Sequence, residues 1–166
     1  MKRVLGAFFA LALPALCAEA SIVPQLVQHW TKSKAYTLAV AEAMPEEGYA
    51  SKPNPEQMTF AQQLEHLAGA NAYFLSKITG TPSPVGKPEK HDKAAVVRML
   101  NESYDYVIRS VGSLTPEQLS REVDMEGMRM TGLDALLLAM DHTAHHRGQC
   151  VVYLRVKNIK PPGYKM

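Results

Sequence analysis

The chain has 166 residues, 46% hydrophobic and 20% charged, which supplies the core of one ordinary domain and excludes a disordered or collagen-like segment. Eighteen basic residues against 16 acidic ones leave a formal charge of +2, too close to neutral for a nucleic-acid footprint or a membrane-binding basic arm. Two cysteines allow at most one disulfide, so a disulfide-stapled miniprotein is excluded.

The first predicted element is an address. Lys2 and Arg3 precede an apolar run of 13 residues, Val4 to Leu16, and Ala18-Glu19-Ala20 presents small residues where an export peptidase reads them. A membrane-spanning helix needs about 20 residues. Residues 1–20 are therefore expected to form a cleavable signal peptide, and 21–166 the mature domain, periplasmic or extracellular in a bacterium. Lipidation at Cys17 is rejected, because Leu16 stands where a small residue is needed. Loss of residues 1–20 removes Lys2, Arg3 and Glu19, leaving 16 basic and 15 acidic residues. It also leaves Cys150 without a partner, so stability must come from packing.

Four long helices follow. Val23, Leu26, Val27, Trp30, Leu38, Ala41 and Met44 recur mostly at three- and four-residue steps, with Pro24 tolerated in the first turn. Pro45-Glu46-Glu47-Gly48 ends this helix. Thr59 with Gln62 forms a capping box that opens a second helix carrying Phe60, Leu64, Leu67, Phe74, Leu75 and Ile78. Gly80 and a Pro-rich run to Pro88 close it. The third starts near Asp92 and places Val96, Val97, Leu100, Tyr104, Val107 and Val111 inward. Thr115 caps a turn or two before Arg121. The fourth runs from Thr131 to about Lys157, and Pro161-Pro162-Gly163 permits nothing beyond. No stretch of the mature chain alternates like a strand over more than a few residues. The pattern predicts an all-α four-helix bundle in which one or more long connections cross over.

Three of the six histidines lie in Asp141-His142-Thr143-Ala144-His145-His146. His142 and His146, four apart on a helix, share one face, the spacing at which two imidazoles meet one metal ion. His145 lies about 60° from His142 and 100° from His146, which makes the 142/146 pair the better one. A third ligand must come from another helix, and His66 borders the core face of the second. A hydrogen-bonded or solvated histidine is the blander reading of each. A zinc-protease mechanism is unsupported, since Thr143 stands where that motif has its general-base Glu.

The strings Gln63-Leu64-Glu65-His66-Leu67-Ala68 and Asp141-His142-Thr143-Ala144-His145-His146-Arg147-Gly148-Gln149, with Val152-Tyr153-Leu154-Arg155 and Met44-Pro45-Glu46-Glu47, resemble the DinB/YfiT-like superfamily. The resemblance implies an often dimeric bundle of up-down-down-up topology. It also implies a divalent metal, typically zinc or nickel, held by His66, His142 and His146. Its relatives include metal-dependent hydrolase candidates and thiol S-transferases or isomerases. The expected function is accordingly a metal-dependent hydrolase or thiol-dependent transferase acting on a small molecule. The export signal departs from the many cytoplasmic relatives and argues against cytosolic thiols as co-substrates. The alternative is a non-catalytic bundle that uses the metal structurally or binds a partner without it. No nucleic-acid partner is expected, and no membrane contact once the signal is cleaved.

Several neighbours invite a role. Gln149 and Tyr153 stay within about 20° of the His142 face and can line a pocket above a metal, although a core-facing Tyr is the plainer assignment. Glu65 and Asp141, adjacent to ligands, can support one only across helices. Arg147 points away from the pair, toward packing or a dimer seam, and Gly148 suggests close helix approach or a glycine that is merely tolerated. Met125, Met128 and Met130 are soft donors suited to Cu(I), but such residues more often fill gaps. Cys150 is read the same way, as near the metal or simply buried.

Overall fold

The structure, a computed structural model, describes residues 22–164. The signal-peptide reading of residues 1–20 falls outside them. The described elements are α1 (Ile22–Ala43), a 3-10 turn (Glu46–Gly48), α2 (Phe60–Thr79), α3 (Lys93–Gly112), α4 (Pro116–Ser120), β1 (Glu122–Met125), β2 (Met128–Thr131) and α5 (Gly132–Val156). None of these helices is long and apolar enough to cross a membrane.

Local chemistry explains the boundaries. At the start of α2, Gln62 N donates to Thr59 Oγ1 at 3.1 Å and Thr59 N donates to Gln62 Oε1 at 2.8 Å, which satisfies two backbone donors reciprocally. Gly80 ends the helix with φ at 76°, a left-handed conformation that costs glycine little. Asp92 accepts from Ala95 N at 2.8 Å and so caps α3. Thr131 Oγ1 accepts from Asp134 N at 3.1 Å and opens α5.

Side-chain bridges reveal how the four long helices run. Lys34 of α1 pairs with Asp105 at 2.6 Å, while Lys93 at the start of α3 donates to Met44 O at 3.0 Å, so α1 and α3 are antiparallel. Ser103 donates to Ala68 O at 2.7 Å and His91 meets Glu65 at 2.8 Å, which makes α2 and α3 parallel. His142 faces His66, and Tyr153 bonds to Met58 O, so α5 opposes α2. The topology is up-down-down-up, and residues 80–92 make the crossover that two parallel neighbours require. Trp30, Phe60, Leu64, Leu67, Leu75, Leu100, Tyr104, Leu136 and Leu154 are fully buried along the bundle axis.

Two sequence expectations change. The stretch expected to lack strands holds an antiparallel hairpin, in which Val123 pairs with Met130 and Met125 with Met128. Its turn residues Glu126 and Gly127 have φ of 57° and 88°, the two positive values of a type I′ turn. Four-residue strands are too short to show alternation, and Glu is not the usual residue at that turn. Gly148 is exposed, and a Cβ added there would meet nothing within 4 Å, so it serves no close approach among the described residues.

Candidate metal centre

The antiparallel pairing of α2 and α5 brings His66 against the last helix at the level of His142 and His146. One ring nitrogen from each of the three lies within 4.8 Å of the other two. His66 Nε2 and His142 Nε2 are 3.1 Å apart, and the ring centroids of His142 and His146 are 4.4 Å apart. Nitrogens bound tetrahedrally to one ion at 2.0–2.1 Å stand roughly 3.3 Å from each other. The His66–His142 pair is at about that separation. The cluster contains no carboxylate and no thiolate, so a bound divalent ion would meet neutral borderline-soft donors.

The surroundings favour lone pairs over protons. Burial lowers the pKa of His142, and the neighbouring His66 and His145 lower it further. Burial, then His142, His66 and His145, push His146 down to about 4. Gln63, 6% exposed and three residues before His66, places its Oε1 2.7 Å from His146 Nδ1. A carbonyl oxygen only accepts, so Nδ1 carries the proton and Nε2 presents a lone pair to the cluster. His142 Nδ1 is buried without a hydrogen-bond partner, and its ring instead packs at 6.1 Å from Phe74. The three donors are one short of the four that close a structural zinc site.

Beside the cluster lies a cavity of about 720 Å³, whose wall includes His66 and His142. Its floor is one stripe of α2, formed by Gln62, Glu65, His66, Gly69, Ala70 and Tyr73. The crossover contributes Lys87, Pro88 and His91, and the hairpin contributes Met125, Glu126 and Met128. The volume falls within the range of small-molecule sites.

The remaining residues singled out in the sequence take other places. His145 is exposed. Glu65 holds His91 of the crossover rather than a clustered histidine, and Asp141 is exposed, so neither supports a ligand. Tyr153 is core and bonds to Met58 O, and neither it nor Gln149 lines the cavity. Cys150 is fully buried, its thiol pKa raised by burial, and it lies outside the donor cluster. Met125 is buried in the core, whereas Met128 is 57% exposed at the cavity mouth. Arg147 turns toward α1, donating to Ser33 Oγ at 2.8 Å and lying over the Tyr36 ring at 5.0 Å, so it joins helices within the chain. Gln63 is the residue that sequence reasoning missed, although its i−3 position relative to His66 already placed it on a nearby face.

With this geometry, the family becomes plain. The model of the DinB superfamily matches residues 29–150, and the chain belongs to that superfamily. It is 28% identical over 135 residues to YjoA of Bacillus subtilis (strain 168), an alignment covering 79% of this chain and 88% of that protein. The crystal structure of the Bacillus subtilis DinB-like protein YjoA superposes with a TM-score of 0.71 at 24% identity, covering 86% of this chain and 99% of the other. A DinB-like protein from Bacillus cereus superposes at 0.74 with 19% identity, covering 84% and 95%. Both likenesses establish the helical fold.

Proposed function

We propose that this protein is an exported metal-dependent hydrolase or thiol-dependent transferase that holds zinc or nickel on His66, His142 and His146 and acts on a small molecule. The observation that carries this reading is the convergence of three imidazoles beside a 720 Å³ cavity whose wall includes two of them, His66 and His142. A buried structural ion has no use for such a cavity, whereas a reacting centre needs one. Export is supported by the Lys2-Arg3, apolar and Ala18-Glu19-Ala20 sequence.

The protein's own contribution is positional. Gln63 fixes the tautomer of His146, Phe74 supports the His142 ring, and burial keeps both imidazoles unprotonated at neutral pH. A divalent ion held on these donors would supply Lewis acidity toward a carbonyl, sulfur group or water. The cavity beside them, lined in part by Tyr73, Phe74, Met99 and Leu138, offers apolar surface to a bound small molecule.

The test is the metal content of the mature protein, native against His142→Ala. Stoichiometric zinc or nickel in the native protein, lost in the variant with the melting temperature little changed, is expected. A variant that loses both metal and cooperative folding would assign the ion a structural role. A native protein that takes up neither metal on reconstitution would leave a metal-free partner-binding bundle.

A further inference from the structure

We infer that the cavity takes a ligand with two parts: a metal-coordinating head at the three histidines and an extended, uncharged apolar body lying along α2 over Gly69. The inference rests on the metal centre proposed above and goes beyond it to the class of molecule bound.

The shape of the floor comes first. From Gln62 to Tyr73 the α2 stripe spans about 16 Å at 1.5 Å per residue, and His66 stands about a third of the way along, with roughly 10 Å of stripe beyond it toward Tyr73. The next two positions on that stripe are Gly69 and Ala70, the smallest side chains available. A Cβ added at Gly69 would meet nothing within 4 Å, so no neighbouring helix or side chain fills the space above it. A glycine inside a helix sacrifices stability relative to alanine, and here it gains no packing in return. What it creates is an open channel leading away from His66.

The lining then selects the chemistry. Met58, Met99, Met125 and Met128 all face the cavity, and flexible thioethers mould to apolar bodies of varied outline. Charges on the two flanking segments are opposed: Lys87 stands on the crossover and Glu126 on the hairpin turn. Glu65 is already engaged by His91 at 2.8 Å. A body of either sign would meet a like charge, so an uncharged one fits best.

A series of straight-chain alkyl hydroxamates tests this, from acetohydroxamate to decanohydroxamate, titrated calorimetrically into zinc-loaded mature protein. Affinity should rise roughly fourfold with each added methylene until the cavity is filled and then level off. In Gly69→Leu, whose side chain would occupy the channel, the rise should flatten while zinc stoichiometry and acetohydroxamate affinity persist. Acetohydroxamate binding with no chain-length dependence in the native protein would overturn the apolar-body inference and leave the metal centre standing. An unchanged gradient in Gly69→Leu would equally overturn it, because the body would then lie elsewhere. Zinc-loaded protein with no affinity for acetohydroxamate or any longer homologue would overturn this inference and leave the metal centre standing, whereas protein that takes up no zinc would remove both.

Discussion

Gln63 Oε1 stands 2.7 Å from His146 Nδ1, across the seam between α2 and α5, and this contact determines which nitrogen His146 turns toward His66 and His142. Without it the ring loses both its tautomer preference and one restraint on its plane. Partners of this kind typically contribute 10- to 100-fold to metal affinity. Gln63→Leu, which keeps the bulk of a side chain only 6% exposed, should weaken zinc binding by about that factor. Competition with a chromophoric chelator measures it, and an unchanged affinity would show that packing alone orients the ring.

The same imidazoles impose an acid sensitivity on the metal-free protein. In the unfolded chain a histidine titrates near 6.5, whereas burial holds folded His146 at about 4. Between those values the unfolded state binds a proton that the folded state refuses, so acid favours unfolding. The contribution is complete above about pH 6.5 and is lost progressively as pH falls toward about 4. His142, shifted in the same direction by burial, adds to it. Melting temperatures of chelator-treated protein from pH 7 to pH 4.5 should fall more steeply in the native chain than in His146→Gln. Equal slopes would contradict the assignment. Proton competition with metal at His146 is likewise displaced below the range expected of a free imidazole.

Arg147 sits beside His146 in the chain and does unrelated work. Its guanidinium, on a residue 8% exposed, donates to Ser33 Oγ at 2.8 Å, and Ser33 and Thr37 both meet the buried Tyr104 hydroxyl. Arg147→Ala should cost about 2–4 kcal/mol in urea denaturation, since it removes a charge-assisted bond and the stacking on Tyr36. Arg147→Lys should recover little, because an ammonium reproduces neither the fork nor the stacked plane. Zinc affinity should stay within about threefold of native in both, a separation that a metal-supporting arginine would not show.

Helix positions are legible in the sequence, because each long helix carries a period of apolar residues and three of the four open on a chemical boundary: Thr59 with Gln62, Asp92, and Thr131 with Asp134. The convergence of His66 with His142 and His146 required the bundle's topology, which the family resemblance supplied and helical spacing did not. Gln63 escaped notice because its role depends on a contact 83 residues away in sequence. Glu65 could support a ligand only across helices, and its carboxylate turns instead to His91 of the crossover, a contact 26 residues away that local spacing does not reveal. The hairpin was invisible because its register depends on two positive-φ turn residues, one of them an unremarkable glutamate.

Gly132 provides the sharpest test of how the hairpin end is assembled. It begins α5, its N–H donates to Arg121 O at 2.9 Å, and a Cβ there would fall 2.2 Å from Gln118 O and 3.2 Å from Gln118 C. Those are backbone atoms of α4, so no side-chain rotation relieves the overlap. Gly132→Ala must push α4 away from the start of α5, and should cost about 1–3 kcal/mol as overpacking does elsewhere. Gly127→Ala, at φ of 88°, should cost about 1 kcal/mol through the turn alone. The two substitutions differ in what they move. Displacing α4 shifts both strands and hence Met125 and Met128 of the cavity lining, whereas the turn substitution leaves α4 in place. Amide hydrogen exchange should therefore show loss of protection across 116–131 in Gly132→Ala and only around the turn in Gly127→Ala. Equal patterns in the two would mean that the hairpin is held by its own ladder rather than by the glycine contact between α4 and α5.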